Sequence, residues 1–280
     1  MSRVSDQRLT INGLRLHYRD WHGPHELSPA VVLLHGLSGH ARTWDALAAS
    51  LCSHYRVLAL DQRGHGESDW DPARNYATSD LLHDFEAFVT ALQLERYALL
   101  GLSMGGRVSI AHAGARPAGL QRLVLVDIGA ETDPNGMASI QANAQRTDTF
   151  ASISDAMERA RADNPVPPLA HHEHRIVHGL MRQTDGLWTY RYDRALRDPN
   201  TVREHQTPAQ AWTSVASIAV PTLLVRGACS DILSPAVAER MCTTIAQCEF
   251  VEIVGAGHSV PLDKPVEFGR AVKQFLCKPL

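Results

Sequence analysis

Leu99-Leu100-Gly101-Leu102-Ser103-Met104-Gly105-Gly106 decides how this chain is read. The apolar run from Tyr97 is a strand, the residues after Ser103 have helical spacing, and the serine stands between them in a G-x-S-x-G turn. A strand that turns straight into a helix forces its central residue into an unfavourable backbone conformation. Glycines two places to either side leave room for strand and helix to pack closely. The hydroxyl is then presented at a helix N-terminus, where the free N–H of Met104 can stabilise an oxyanion. Ser103 is the candidate nucleophile and Met104 one oxyanion donor.

Outward from that turn, short runs rich in Val, Leu and Ile alternate with helical stretches. Strands are expected at Arg8 to Ile11, Leu14 to Trp21, Ala30 to His35, Arg56 to Asp61, Tyr97 to Gly101, Leu120 to Asp127, Pro221 to Gly227 and Glu249 to Val254. Helices are expected at Thr43 to Leu51, Ser79 to Leu92, Met104 to Ala115, Pro235 to Ile245 and Pro265 to Leu276. The alternation predicts an α/β fold with a mostly parallel eight-stranded sheet flanked by helices. Residues 1–128 and 215–280 form its core. Residues 129–214, richer in charge, histidine and aromatics and without another strand of that apolar quality, are assigned as an inserted helical cap. Ala156 to Ala162 and Glu173 to Arg182 are its expected helices, with a bend at Asn164-Pro165-Val166-Pro167-Pro168.

Two further turns carry a resemblance. Leu33-Leu34-His35-Gly36-Leu37 ends one buried strand in His-Gly, and Asp61-Gln62-Arg63-Gly64-His65-Gly66-Glu67-Ser68 follows the next. With the serine turn they resemble, in order, the punctuation of the α/β-hydrolase superfamily, over about Arg8 to Asp127 and Pro221 to Leu276. The resemblance implies that the second oxyanion N–H belongs to Leu37. It gives Asp61, Arg63, His35 and His65 structural roles.

A serine hydroxyl needs a base that titrates near neutrality. Of fifteen histidines, His258 alone follows a late apolar strand in a loop of small residues, Gly255-Ala256-Gly257-His258-Ser259, which resembles the superfamily's G-x-G-H loop. The acid that orients this imidazole has two candidates. Asp231 follows the penultimate strand, where many α/β-hydrolases carry it, although the usual G-x-x-D places Ser230 there. Asp127 ends the strand after the serine turn, a position that other branches use. Val225-Arg226-Gly227 with Ser230, and Asp61-Gln62-Arg63-Gly64-His65-Gly66, are similar to the vitamin B6-degradation hydrolases that cleave an acetamidomethylene succinate. That similarity favours Asp127, with Asp231 as the alternative.

Composition narrows the rest. Lys plus Arg number 27 against 30 Asp plus Glu, a net charge of −3 without a basic run, which gives nucleic acid or an anionic membrane no electrostatic hold. The N-terminus lacks a signal peptide's apolar core, and no apolar run approaches membrane-spanning length, so a cytoplasmic location is expected. Five scattered cysteines without C-x-x-C spacing read as reduced thiols. The cluster His171, His172, Glu173 and His174 lacks converging ligand spacing, so neither a metal nor an organic cofactor is implied.

The expected function is hydrolysis of an ester, lactone or activated amide of a small molecule through an acyl-serine. Alternatives on the same scaffold are C–C bond hydrolysis, cofactor-independent dioxygenation, or a small-molecule receptor without chemistry. In the cap, Gly186-Leu187-Trp188-Thr189-Tyr190-Arg191-Tyr192-Asp193 puts Trp188, Tyr190 and Tyr192 on one face of an extended segment. They are read as a packing face. The competing expectation is that Trp188, with Arg182 or Arg191, lines the substrate pocket and pairs with an acidic group. The sequence leaves the oligomeric state open.

Overall fold

A computed structural model describes residues 4–198 and 206–279. Residues 199–205 of the cap interval, and 1–3 and 280 at the ends, lie outside the described residues. In chain order the strands are β1 (Val4–Ile11), β2 (Leu14–Trp21), β3 (Ala30–Leu34), β4 (Arg56–Leu60), β5 (Tyr97–Leu102), β6 (Leu120–Val126), the short β7 (Thr149–Phe150), β8 (Leu180–Arg182) and β9 (Trp188–Tyr190), then β10 (Thr222–Gly227) and β11 (Cys248–Ile253). The helices are α1 (Asp45–Leu51), α2 (Thr78–Ala91), α3 (Met104–Gly114), α4 (Pro134–Ala144), α5 (Ile153–Asp163), α6 (Leu169–Gly179), α7 (Pro208–Ser217), α8 (Pro235–Thr244), α9 (Val260–Asp263) and α10 (Pro265–Leu276).

The main sheet has eight strands in the order β1-β2-β4-β3-β5-β6-β10-β11. Only the β1–β2 and β2–β4 pairs are antiparallel; β3, β4, β5, β6, β10 and β11 run parallel. Alternation along the strands divides the core. Val32, Leu34, Leu58, Leu99, Leu123, Leu125 and Leu224 face one side, where α2, α3, α7 and α8 contribute Phe85, Phe88, Val108, Val215 and Met241. Val31, Leu33, Val57, Leu100, Val124 and Val225 face the other, against Leu47 and Leu51 of α1 and Phe268, Val272 and Phe275 of α10. Burial on both faces is why these strands read as continuous apolar runs. The expected strands and core helices all form, with ends shifted by a few residues.

The interval after β6 departs from the all-helical expectation. Its helices α4, α5 and α6 are joined by a second, antiparallel sheet in the order β7-β9-β8. The helix expected to continue to Arg182 stops at Gly179, because Leu180, Met181 and Arg182 pair with Tyr190, Thr189 and Trp188. Strands of two or three residues are too short to show a period. The last helix of the interval, α7, packs on the sheet domain: its Ala211 and Val215 belong to the main core, and a Cβ on Gly114 of α3 would come within 2.8 Å of Ser214. No helix among the described residues is long and apolar enough to cross a membrane.

A polar cluster gathers after the ends of β3 and β4. Asp61 accepts from the backbone amides of Ala41 (2.5 Å) and Glu67 (2.9 Å) and pairs with His17 Nδ1 at 2.7 Å. Burial would raise its pKa, but these bonds and the nearby imidazoles hold it at about 2. Arg63 grips Asp84 through Nε (2.6 Å) and a terminal nitrogen (2.7 Å). Burial, the dominant influence, lowers the pKa of His35, that of His40 to about 4 and that of His65 to about 3. Such histidines are neutral in the native state and take up protons once unfolded. Stability therefore falls as the pH drops below about 6.5, and keeps falling towards the folded values. Asp61 adds a loss between 3.8 and about 2. His17 acts oppositely: burial disfavours its charge, yet Asp61 lifts its pKa, and that stabilisation is present in acid and lost as the pH rises. Urea unfolding at pH 7, 6, 5 and 4 should show a net decline on the order of a few kcal/mol, and His40→Asn should flatten it. A flat wild-type profile would contradict this account.

Candidate active site

Ser103 caps α3 at φ 52° and ψ −111°, the strained conformation expected of a sharp turn between strand and helix. The glycines around it are required by contact. A Cβ on Gly101 would lie 2.4 Å from the carbonyl of Gly105, and one on Gly105 would lie 2.5 Å from that of Leu34. The His-Gly turn abuts the same point, since a Cβ on Gly36 would approach Ser103 Cβ to 3.2 Å. His35 serves as a turn residue: Nδ1 donates to the Gly36 carbonyl at 2.8 Å and Nε2 accepts from Gln62 N at 3.1 Å. Leu37, Ser103, Met104 and His258 all line one cavity of about 430 Å³. Among the described residues, neither the Leu37 nor the Met104 amide donates to a protein acceptor, although the neighbouring Gly105 amide bonds His35 O at 3.2 Å.

His258 sits half-buried in the loop after β11. Its Nδ1 donates to Asp127 Oδ2 at 2.7 Å. Asp127 is fully buried and follows β6 with a φ of 47°. Its carboxylate also accepts from Gly227 N (3.0 Å) and from Ser230 Oγ (2.5 Å). The carboxylate thus meets three donors, and with Nδ1–H directed at it the imidazole's Nε2 is left free of that contact. Asp231 is placed elsewhere: it is exposed, and its carboxylate accepts from Ser139 Oγ at 2.6 Å. Ser230, at the usual acid position of the sequence motif, contributes its hydroxyl to Asp127.

The structure does not bring Arg182, Trp188 or Arg191 into this cavity. Arg182 is exposed and bonds Gly186 O at 3.2 Å, while Arg191 Nε bonds Leu180 O at 2.8 Å, so both guanidinium groups close the β8–β9 hairpin. Trp188 packs in the cap's own cluster with Phe150, Ile176 and Tyr190. Tyr192 bridges to His65 after β4 and donates its hydroxyl to Asp148, within its own interval. The cap residues that do line the cavity are Met137, Ile140, Asn143, Ala144, Leu196 and Arg197. The four on α4 did not stand out in the sequence, because that helix has no strong amphipathic pattern.

Asp263 was also missed. It is buried, accepts from Gly257 N beside His258 and from Asn164 Nδ2 after α5, both at 2.7 Å, and so ties the His258 loop to that segment. Burial is the main cause of its raised pKa. The cap histidines are drawn to separate partners, His172 Nε2 to Asn164 O (2.8 Å) and His174 Nε2 to Asp45 (3.1 Å).

A family model described as alpha/beta hydrolase fold matches residues 29–265. The 3-hydroxybutyrate-oligomer hydrolase of Cupriavidus necator is 28% identical over 273 residues, covering 93% of this chain and 92% of that protein. The N-formylmaleamate deformylase of Pseudomonas putida is 40% identical over 124 residues, 44% of this chain and 45% of that protein. Among solved structures, E-2-(acetamidomethylene)succinate hydrolase shares the fold with a TM-score of 0.86 at 23% identity, over 99% of this chain and 100% of that one.

Proposed function

Since the chain belongs to the α/β-hydrolase fold family and its relatives support a hydrolase, we propose that it cleaves a carboxylic ester, lactone or activated amide of a small molecule through an acyl-Ser103 intermediate. The observation that carries this reading is the 2.7 Å contact of His258 Nδ1 with Asp127, on an imidazole that shares its cavity with Ser103. Asp127 holds the tautomer and stabilises the imidazolium; Nε2 takes the proton from Ser103 as the hydroxyl attacks the carbonyl carbon. The amides of Leu37 and Met104 receive the oxyanion, where charge develops against fixed donors. His258 then returns its proton to the leaving alcohol or amine. Water repeats the sequence to release the acid and regenerate Ser103. The names of two relatives fit both ends of this range, one an ester-oligomer hydrolase and the other a deformylase.

The direct test is covalent capture. A fluorophosphonate should label the protein once, with the adduct mapped to Ser103 by peptide mass spectrometry, and prior acylation by a p-nitrophenyl ester should slow the labelling. An unlabelled Ser103 in folded protein would remove the acyl-serine mechanism and favour a receptor on this scaffold.

A further inference from the structure

The apolar chamber around Ser103 continues into a second one. Leu37, Leu102, Asn143, Arg197 and Ser259 line both, and the second chamber, about 380 Å³, lies between the cap and the His-Gly turn. Its walls differ sharply in chemistry. Where the Ser103 chamber presents Leu81, Val108, Met137 and Ile140 with Arg107, the second presents Arg146, Arg159 and Arg175; Arg197 is shared, and among the described residues the carboxylates lining the second are Asp148 and Asp163.

The pairing is incomplete. Asp163 is shared, at 2.7 Å from Arg146 and 3.4 Å from Arg159. Asp148 pairs with Arg197 at 3.0 Å and also accepts the Tyr192 hydroxyl. Arg175, half-buried on α6, makes no ion pair among the described residues. Its Nε is buried without a hydrogen-bond partner. Desolvated cationic donors left unmatched are costly, and a cleft with low-dielectric walls concentrates their field. A ligand that brings one planar anionic group would complete them, and the fork of a guanidinium matches a carboxylate in two parallel bonds.

We propose that the second chamber is a subsite for a carboxylate at the end of the substrate remote from the cleaved bond, with Arg175 as its principal ligand and Arg146 beside it. The orientation relative to Ser103 rests on the function proposed above; the anion site itself does not. The substrate class is a small acid whose carbon chain crosses the apolar chamber.

The test separates the two. Binding of monoethyl succinate, glutarate and adipate to Ser103→Ala is measured by calorimetry against their diethyl esters, and again with Arg175→Met or Arg146→Gln added. At least one monoester should bind more tightly than its diester, and each arginine substitution should lower that preference by about tenfold or more, the scale of a charged hydrogen bond. Arg175→Lys should restore part of it. Arg146 is 38% exposed, so its variant keeps the test in force where Arg175→Met does not fold. No preference for the monoester, a preference that survives both substitutions, or tighter binding of ethyl phosphate than of any monoester would overturn the proposal. Wild-type labelling of Ser103 by the fluorophosphonate reports separately on the nucleophile: monoester binding without labelling leaves the subsite standing and removes the serine reading.

Discussion

Ser103→Ala is expected to lower kcat by at least about 10⁴-fold on any ester that the wild type turns over, with little change in melting temperature. The size follows from what is removed. Without the hydroxyl there is no covalent step, and the rate that remains comes from the oxyanion donors and binding alone. The fold is expected to survive because the strained φ of 52° belongs to the β5–α3 turn and is held by packing at Gly101 and Gly105 rather than by the serine side chain. Alanine keeps the Cβ that the turn already accommodates. The measurement is steady-state turnover with thermal unfolding as control. A folded variant that keeps a tenth of the rate would assign the chemistry to water or dioxygen activated by His258, and the acyl-serine proposal would fall.

Asp127→Asn is expected to lose on the order of 10⁴-fold in kcat, whereas Asp231→Asn should stay within a few-fold of wild type. Asp127 is fully buried, and His258, Ser230 and Gly227 all bond it. An asparagine fits the same space, but its amide can donate to the imidazole and favour the tautomer that leaves Nε2 protonated and unable to accept from Ser103. Asp231 is exposed and would lose little beyond its contact with Ser139. Measuring both variants on one substrate decides the matter: a crippled Asp231→Asn beside an active Asp127→Asn would reverse the assignment.

Much of the fold was legible in the chain because its signals are local. A doubly buried strand is a run of Val, Leu and Ile, and α10 shows Phe268, Val272, Phe275 and Leu276 along one face. The turn at Ser103 needs small residues at fixed offsets, so strand, serine and helix can be read within ten positions. The Gly-Ala-Gly-His loop is similarly compact, which is how His258 stood out among fifteen histidines. In the cap the local signal fails. Strands as short as Thr149–Phe150 have no period, and the arginines of Arg182 and Arg191 look no different from those of Arg146 and Arg175 until their neighbours are known.

The sequence by itself determined the layered α/β architecture, the serine at the strand-to-helix turn and the histidine after the last strand, since each depends on residues adjacent in the chain. Only the tertiary structure decided which aspartate meets that histidine, because Asp127 and His258 stand 131 positions apart and both aspartates end strands of the same sheet. It likewise decided which arginines face the cavity. Arg182 and Arg191 are spent on carbonyls of a hairpin. Arg175 and Arg146 reach the chamber from α6 and the segment after α4, brought together by packing that no periodicity encodes.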